Sequence, residues 1–113
     1  MTTAKQELSG AIGSDITSDF ITQSYTKHQA AIIFYSDAAL TNVVDKESMS
    51  GHVDFAASET GEEYALMSDG RLTLGSSTYA RPNAVGSYRY IKATFSNITG
   101  ATHFKLIISS FAG

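Results

Sequence analysis

The sequence predicts an all-β fold: an antiparallel β-sandwich, jelly-roll-like, with a flexible N-terminal arm. Three observations carry that prediction. Short runs rich in Ile, Phe, Tyr, Val and Thr alternate with turn residues at a spacing of roughly 8–12 residues, the signature of sandwiches and jelly rolls. A central meander and a C-terminal hairpin, each set by its own turns, both collect their apolar side chains on one face. The final run reaches Phe111, almost at the end of the 113 residues, so strand structure extends to the chain end.

Taken in order, residues 1–14 (MTTAKQELSGAIGS) are polar, carry two glycines and lack aromatics. Such a segment buries too little surface to offset its ordering entropy and reads as a mobile arm, leaving residues 15–113 as a single domain. From Asp15 to Tyr25 the pattern becomes strand-like, with Ile16 and Phe20 on one parity and Ile21 and Tyr25 on the other, which implies a kink or bulge. Gln29 to Tyr35 (QAAIIFY) is apolar on both parities and reads as a strand covered on both sides. Ser36-Asp37-Ala38-Ala39 is a turn opened by Asp, with a weak strand at Leu40 to Val44.

The meander follows. A four-residue loop at Ser58-Glu59-Thr60-Gly61 sets Phe55 opposite Tyr64 and Val53 opposite Leu66. A three-residue loop at Ser68-Asp69-Gly70, with Gly in the left-handed position, then sets Leu66 opposite Leu72 and Tyr64 opposite Leu74. Both registers place Val53, Phe55, Tyr64, Leu66, Leu72 and Leu74 on one core face. Gly75 to Gly86, which holds the only proline, Pro82, reads as a long loop.

The C-terminal stretch from Ser87 to Phe111 reads as a hairpin around Asn97-Ile98-Thr99-Gly100, with Asn and Gly where a type I turn prefers them. With Ser96 opposite Ala101, Ala93 pairs with Phe104 and Ile91 with Leu106. Ile91, Ala93, Phe95, Phe104, Leu106 and Ile108 then form a core face, against a wet face of Tyr90, Lys92, Ser96, His103 and Lys105.

Composition narrows the function classes. With 42% hydrophobic residues, twelve aromatics and no cysteine, the chain is large enough for one core and lacks disulfides, thiolate nucleophiles and cysteine-based metal sites. The longest apolar run, Ala30 to Tyr35, is far short of the ~20 residues of a membrane helix, and no export signal is apparent, so a soluble protein without a membrane partner is expected. The net charge of −3 divides unevenly. Asp37 to Asp69 holds eight acids and one Lys, whereas Arg71 to Gly113 holds five bases and no acid. Either strands from the two blocks pair their charges across the sheet, or opposite surfaces carry opposite potential and favour docking on further copies. No basic cluster marks a nucleic-acid footprint.

No catalytic signature stands out. His28, His52 and His103 are widely separated and read as surface or strand-face residues. There is no G-x-S-x-G elbow, phosphate loop or D-x-D-x-D-G calcium loop. Asp54, Glu59, Glu62, Glu63 and Asp69 lie on or near the meander, four of them in or beside its turns, and read as solvated acids. Asn97-Ile98-Thr99 matches a glycosylation pattern that the turn already explains. No catalytic, metal-binding or cofactor-binding residue is therefore expected. The strongest interaction candidates are Tyr79 and Arg81 in the long loop with Tyr88, Arg89 and Tyr90 just after it, residue types that anchor interfaces, stack on sugars or cover a core end.

In overall plan the chain resembles the small decoration or cement proteins of tailed-phage capsids: small, acidic, cysteine-free, rich in Gly, Ser and Thr, with a polar N-terminal arm. The phrases SETGEEYALMSDGRL and NITGATHFKLIISS are typical of phage structural β modules. No family-defining motif accompanies them, so no functional residue carries over. The resemblance implies a non-enzymatic virion protein, assembled in the host cytoplasm, that binds the major capsid protein on the outer capsid surface as a dimer or trimer. The Tyr/Arg residues and the arm would be its contacts. The alternative is a carbohydrate- or receptor-binding module of a phage fibre with Tyr79, Tyr88 and Tyr90 as a stacking platform; an enzyme ranks third.

Overall fold

The computed structural model describes residues 3–21, 25–76 and 79–112. Its first sheet is built around β3 (Lys27–Tyr35), where His28, Ala30, Ile32 and Phe34 point inward and Lys27, Gln29 and Ala31 point out. Over Lys27–Ala31 one face of this strand is therefore covered rather than both, whereas towards its end Ile33 is half-buried and Tyr35 buried on the outer parity. The apolar Ala31 and Ile33 lie on the outer parity and account for the unbroken run in the sequence.

β9 (His103–Phe111) pairs with β3 over nine residues, from Lys27↔Phe111 to Tyr35↔His103. On the other side of β3 lie β7 (Asn83–Val85) at Lys27–Gln29 and β4 (Val43–Val44) at Phe34–Tyr35. Beyond β9 runs β1 (Thr3–Ala11), paired from Thr3↔Phe111 to Ala11↔His103. This strand lies inside the segment expected as a mobile arm. An edge strand needs only backbone bonding and one modestly buried parity. Ala4, Gln6, Leu8 and Gly10 supply that parity, and the polar residues alternate outward.

The second sheet contains β2 (Ile16–Thr17), β8 (Tyr90–Thr99), β5 (Ser50–Ser58) and β6 (Ala65–Thr73). Apart from β4, the orders are β1-β9-β3-β7 and β2-β8-β5-β6, and a single pair, Ser68↔Asn83, links β6 to β7. This is the strand order of a jelly roll. After β2, Ser18 and Ile21 keep contact with β8 through bonds to Ile91 and Arg89. The inward side changes between Ser18 and Ile21, where a kink was expected, but Phe20 is left outside rather than turned to the core.

The other seam, between β1 and the segment after β2, is bridged by side chains, the Tyr25 hydroxyl reaching the Thr3 carbonyl at 3.5 Å and Gln6 making the closer contact. Gln6 Nε2 donates to the Asp19 carbonyl at 3.2 Å, and Gln6 Oε1 accepts from Asp19 N–H at 3.0 Å. This pair of bonds copies a β-ladder rung. Gln6→Ala is expected to cost about 1 kcal/mol and to raise the hydrogen-exchange rate of β1 amides above that of β3.

The C-terminal hairpin is not observed. β8 and β9 lie in different sheets, and the chain passes from one to the other at Gly100–Thr102. Ile91 and Ala93 therefore face Phe104, Leu106 and Ile108 across the core rather than beside them; all five are buried, and the Phe95 and Phe104 rings lie 4.9 Å apart. Alternation identifies which side chains turn inward. It does not distinguish a neighbour in the sheet from a partner in the facing sheet.

The meander is corrected for a related reason. Ser68-Asp69-Gly70 lies within β6 as a bulge, with Asp69 at φ 52°. Between the pairs Asp54↔Arg71 and Ala56↔Leu66, two steps of β5 match five of β6. Three extra residues are an odd number, so the parity flips: Met67 enters the core and Leu66 is 62% exposed. Val53, Phe55, Leu72 and Leu74 are buried as expected, whereas Tyr64 is only half-buried. β5 and β8 show a further irregularity between Ser50 and His52, where Gly51 adopts φ 98°. A Cβ there would stand 2.4 Å from the Asn97 carbonyl oxygen. Gly51→Ala should lower the denaturant midpoint by an amount equivalent to well over about 1 kcal/mol.

Candidate binding surfaces

The structure separates the five Tyr and Arg candidates into three places. Tyr79 packs against the core, with the Lys46 ammonium 5.7 Å from its ring centre. Its buried hydroxyl has no partner among the described residues. With Arg81 and Pro82 it lines a hollow of about 150 Å³ that reaches Ile32 and Phe55. Burial holds the Lys46 ammonium below its usual pKa, partly opposed by Asp45. Asp45 caps the short 3-10 turn Lys46–Ser48 by accepting from Glu47 N–H.

Tyr88 is a packing residue. It meets His28 edge-on at 6.3 Å and lies over Gly86, where a Cβ would approach its ring to 3.0 Å. His28 is only 1% exposed. Nε2 lies 3.1 Å from the Gly86 carbonyl, which can only accept, so Nε2 carries the proton and Nδ1 accepts from the Ser110 hydroxyl at 2.9 Å. Burial lowers the pKa of this imidazole, and the bond to Gly86 opposes the shift only in part. Among the three expected surface or strand-face histidines, His28 is thus a buried, hydrogen-bonded member of the core.

Arg89 and Tyr90, both half-buried, form a third group that is completed by the exposed ring of Phe20, while Arg81 is the exposed member of the candidate set. The Arg89 guanidinium lies 5.2 Å from the Phe20 ring centre, and Tyr90 meets the same ring edge-on at 6.1 Å. Phe20 is 51% exposed. Arg89 is fixed through its backbone, which donates to Ser58 O and accepts from Ile21 N–H. Gly61, at φ 85°, sits against Tyr90, with its would-be Cβ 3.2 Å from the ring. The adjacent cleft, about 450 Å³, is lined by Glu59, Thr60, Ser87, Arg89 and Tyr90. It offers a cation, a carboxylate, hydroxyls and an aromatic ring, a combination suited to a polar surface with some apolar content.

A larger groove, about 600 Å³, lies on the outer face of the first sheet and was missed by sequence reasoning. Strand register builds it in rungs. Lys27 pairs with Phe111 and Val85; Gln29 pairs with Ser109 and Asn83; Ala31 pairs with Ile107, with Arg81 also in the wall. A hydrogen-bonding rung thus crosses three strands between apolar neighbours, with Lys27 and Arg81 at its sides. The outward parity of β9 was legible, but β3 read as covered on both sides, and no local pattern showed that the two strands are adjacent.

Among the described residues, charge pairing between the acidic and basic blocks occurs at one point. Arg71 grips Asp54 across β5 and β6, at 2.7 and 3.0 Å, and His52 lies 3.6 Å away. Arg71, and to a lesser degree His52, hold the Asp54 carboxyl below its usual pKa. Glu59, Glu62, Glu63, Lys27 and Arg81 make no ion pair among the described residues. No three His, Asp or Glu side chains among them are grouped as a metal ion would require. No described helix is long and apolar enough to cross a membrane.

No family model matches the sequence, and a search of curated proteins gives no significant match. Solved structures with the same general fold do exist. The SPBc2 prophage-derived protein YomS aligns with TM-score 0.53 at 14% identity, covering 97% of this chain and 96% of that one. A structure of Bacillus endospore appendages, a family of disulfide-linked pili, aligns with TM-score 0.50 at 8% identity, over 99% and 88% of the two chains. The K2 cleaved adhesin domain of Lys-gingipain aligns with TM-score 0.52 at 13% identity, over 93% and 70%. The shared property is an all-β sandwich of this type.

Proposed function

We propose that the chain is a non-enzymatic structural protein of a phage virion, one that decorates the capsid surface by binding the major capsid protein and further copies of itself. The observation that carries this reading is the near end-to-end correspondence with a prophage-derived protein of almost the same length, on a jelly roll, a fold widely used in viral capsids. The unpaired charges and the surface cluster of exposed Phe20 with half-buried Arg89 and Tyr90 would be its docking elements. Host cytoplasm is the place of assembly and the capsid exterior the final location. Co-sedimentation with capsids of the parent phage tests the proposal directly: retention on intact capsids supports it, and recovery only in the supernatant refutes it.

A second reading, a carbohydrate- or receptor-binding module of a phage fibre, is favoured by the same surface cluster beside its cleft of about 450 Å³. Its stacking platform would be Phe20 and Tyr90, since Tyr79 and Tyr88 pack against the core. Glycan-array binding that disappears in Tyr90→Ala, with the fold retained, would select this reading over the first.

A further inference from the structure

We propose that the groove on the outer face of the first sheet receives the acidic β5–β6 loop of a second copy of this chain. This inference rests on the proposed self-binding role and specifies the surfaces that perform it. The groove has two cations on its walls, Lys27 and Arg81, and contains no acid among its lining residues. Neither cation has an ion-pair partner among the described residues. Between them, Gln29, Asn83 and Ser109 offer donors and acceptors suited to an extended loop backbone, beside apolar Ile107.

The proposed occupant is complementary in charge and already shaped. Glu59, Glu62 and Glu63 are all exposed and unpaired among the described residues. The Ser58 hydroxyl accepts from the Thr60 and Gly61 amides at 3.2 and 2.8 Å, and the Thr60 hydroxyl accepts from Glu62 N–H at 3.2 Å. A loop held by its own side chains loses little freedom on docking, so more of the electrostatic attraction appears as affinity. Three carboxylates meeting two cations also make the contact sensitive to salt. One chain thus carries both halves of a contact, as the division of its charge into acidic and basic blocks suggested.

The test is sedimentation velocity of the full chain at low and high salt, with Lys27→Glu/Arg81→Glu, Glu62→Lys/Glu63→Lys and their equimolar mixture. Wild type is expected to self-associate at low salt and to dissociate as salt rises. Each double variant should associate at least about tenfold more weakly, with an unchanged melting profile, and the mixture should regain association because reversed loop meets reversed groove. A wild type that stays monomeric at millimolar concentration, double variants that associate as tightly as wild type, or a mixture that stays monomeric would overturn the proposal. Parallel co-sedimentation with capsids keeps the two readings apart. Lost self-association with retained capsid binding removes this contact alone, whereas salt-sensitive self-association without capsid binding removes the decoration role alone. Should either double variant fail to fold, Arg81→Gln and the salt dependence of wild type decide the matter.

Discussion

Phe104→Ala is expected to destabilise the chain by about 3–5 kcal/mol, while Leu66→Ala should change stability by no more than about 0.5 kcal/mol. Phe104 is 2% exposed and meets Phe95 from the facing sheet, so truncation leaves a hollow between two layers that β8 and β9 hold apart. Leu66 lies on the outward side of the β6 bulge. Leu106, which is fully buried, should behave like Phe104, at about 2–5 kcal/mol on Leu106→Ala. Urea denaturation monitored by circular dichroism measures all three. A Leu66→Ala loss comparable to that of Leu106→Ala would restore the parity read from the sequence and would contradict the bulge.

Stability should fall as pH drops below about 6.5, with His28 a principal cause. In the unfolded chain this imidazole takes up a proton near its ordinary pKa, whereas in the folded chain burial lowers that pKa. Below the unfolded value the unfolded state therefore binds more protons, and stability is lost until the pH passes the lowered folded value. The neutral tautomer is fully used by Gly86 and Ser110, so His28→Ala strands both partners and should cost roughly 2–4 kcal/mol at neutral pH. His28→Gln should also be less stable at neutral pH, but its melting temperature should lack the decline that begins near pH 6.5. Thermal melts from neutral to mildly acidic pH check the sign. Asp54 adds a separate step at lower pH, since its carboxyl is held below the usual value by Arg71 and its contribution disappears as the pH falls through the carboxylate range.

These two cases mark what the sequence made legible. Period-two alternation correctly sorted Ile91, Ala93, Phe104, Leu106 and Ile108 as inward, because burial is a property of one strand and its own pleat. Pairing is a property of two strands, and in a jelly roll most neighbours are remote in sequence, so Asn97–Gly100 looked like a hairpin turn while joining two sheets. The bulge at Ser68–Gly70 carried the expected left-handed conformation, though at Asp69 rather than Gly70, and bent one strand instead of joining two. Of the candidate residues, Arg89 and Tyr90 came together at the surface, but their partner Phe20 was assigned to a strand face, and Tyr88 was already engaged with His28. The groove between Lys27 and Arg81 requires three strands side by side, an adjacency no local pattern encodes.

The pairing of Thr3 with Phe111 has a consequence for how the chain is made. During synthesis β1 is made before β9, so β1 must wait for everything between them before its ladder can form. Late closure of this kind slows folding and leaves an unpaired edge exposed in the nascent chain. Removing β9 would deprive both β1 and β3 of their common neighbour.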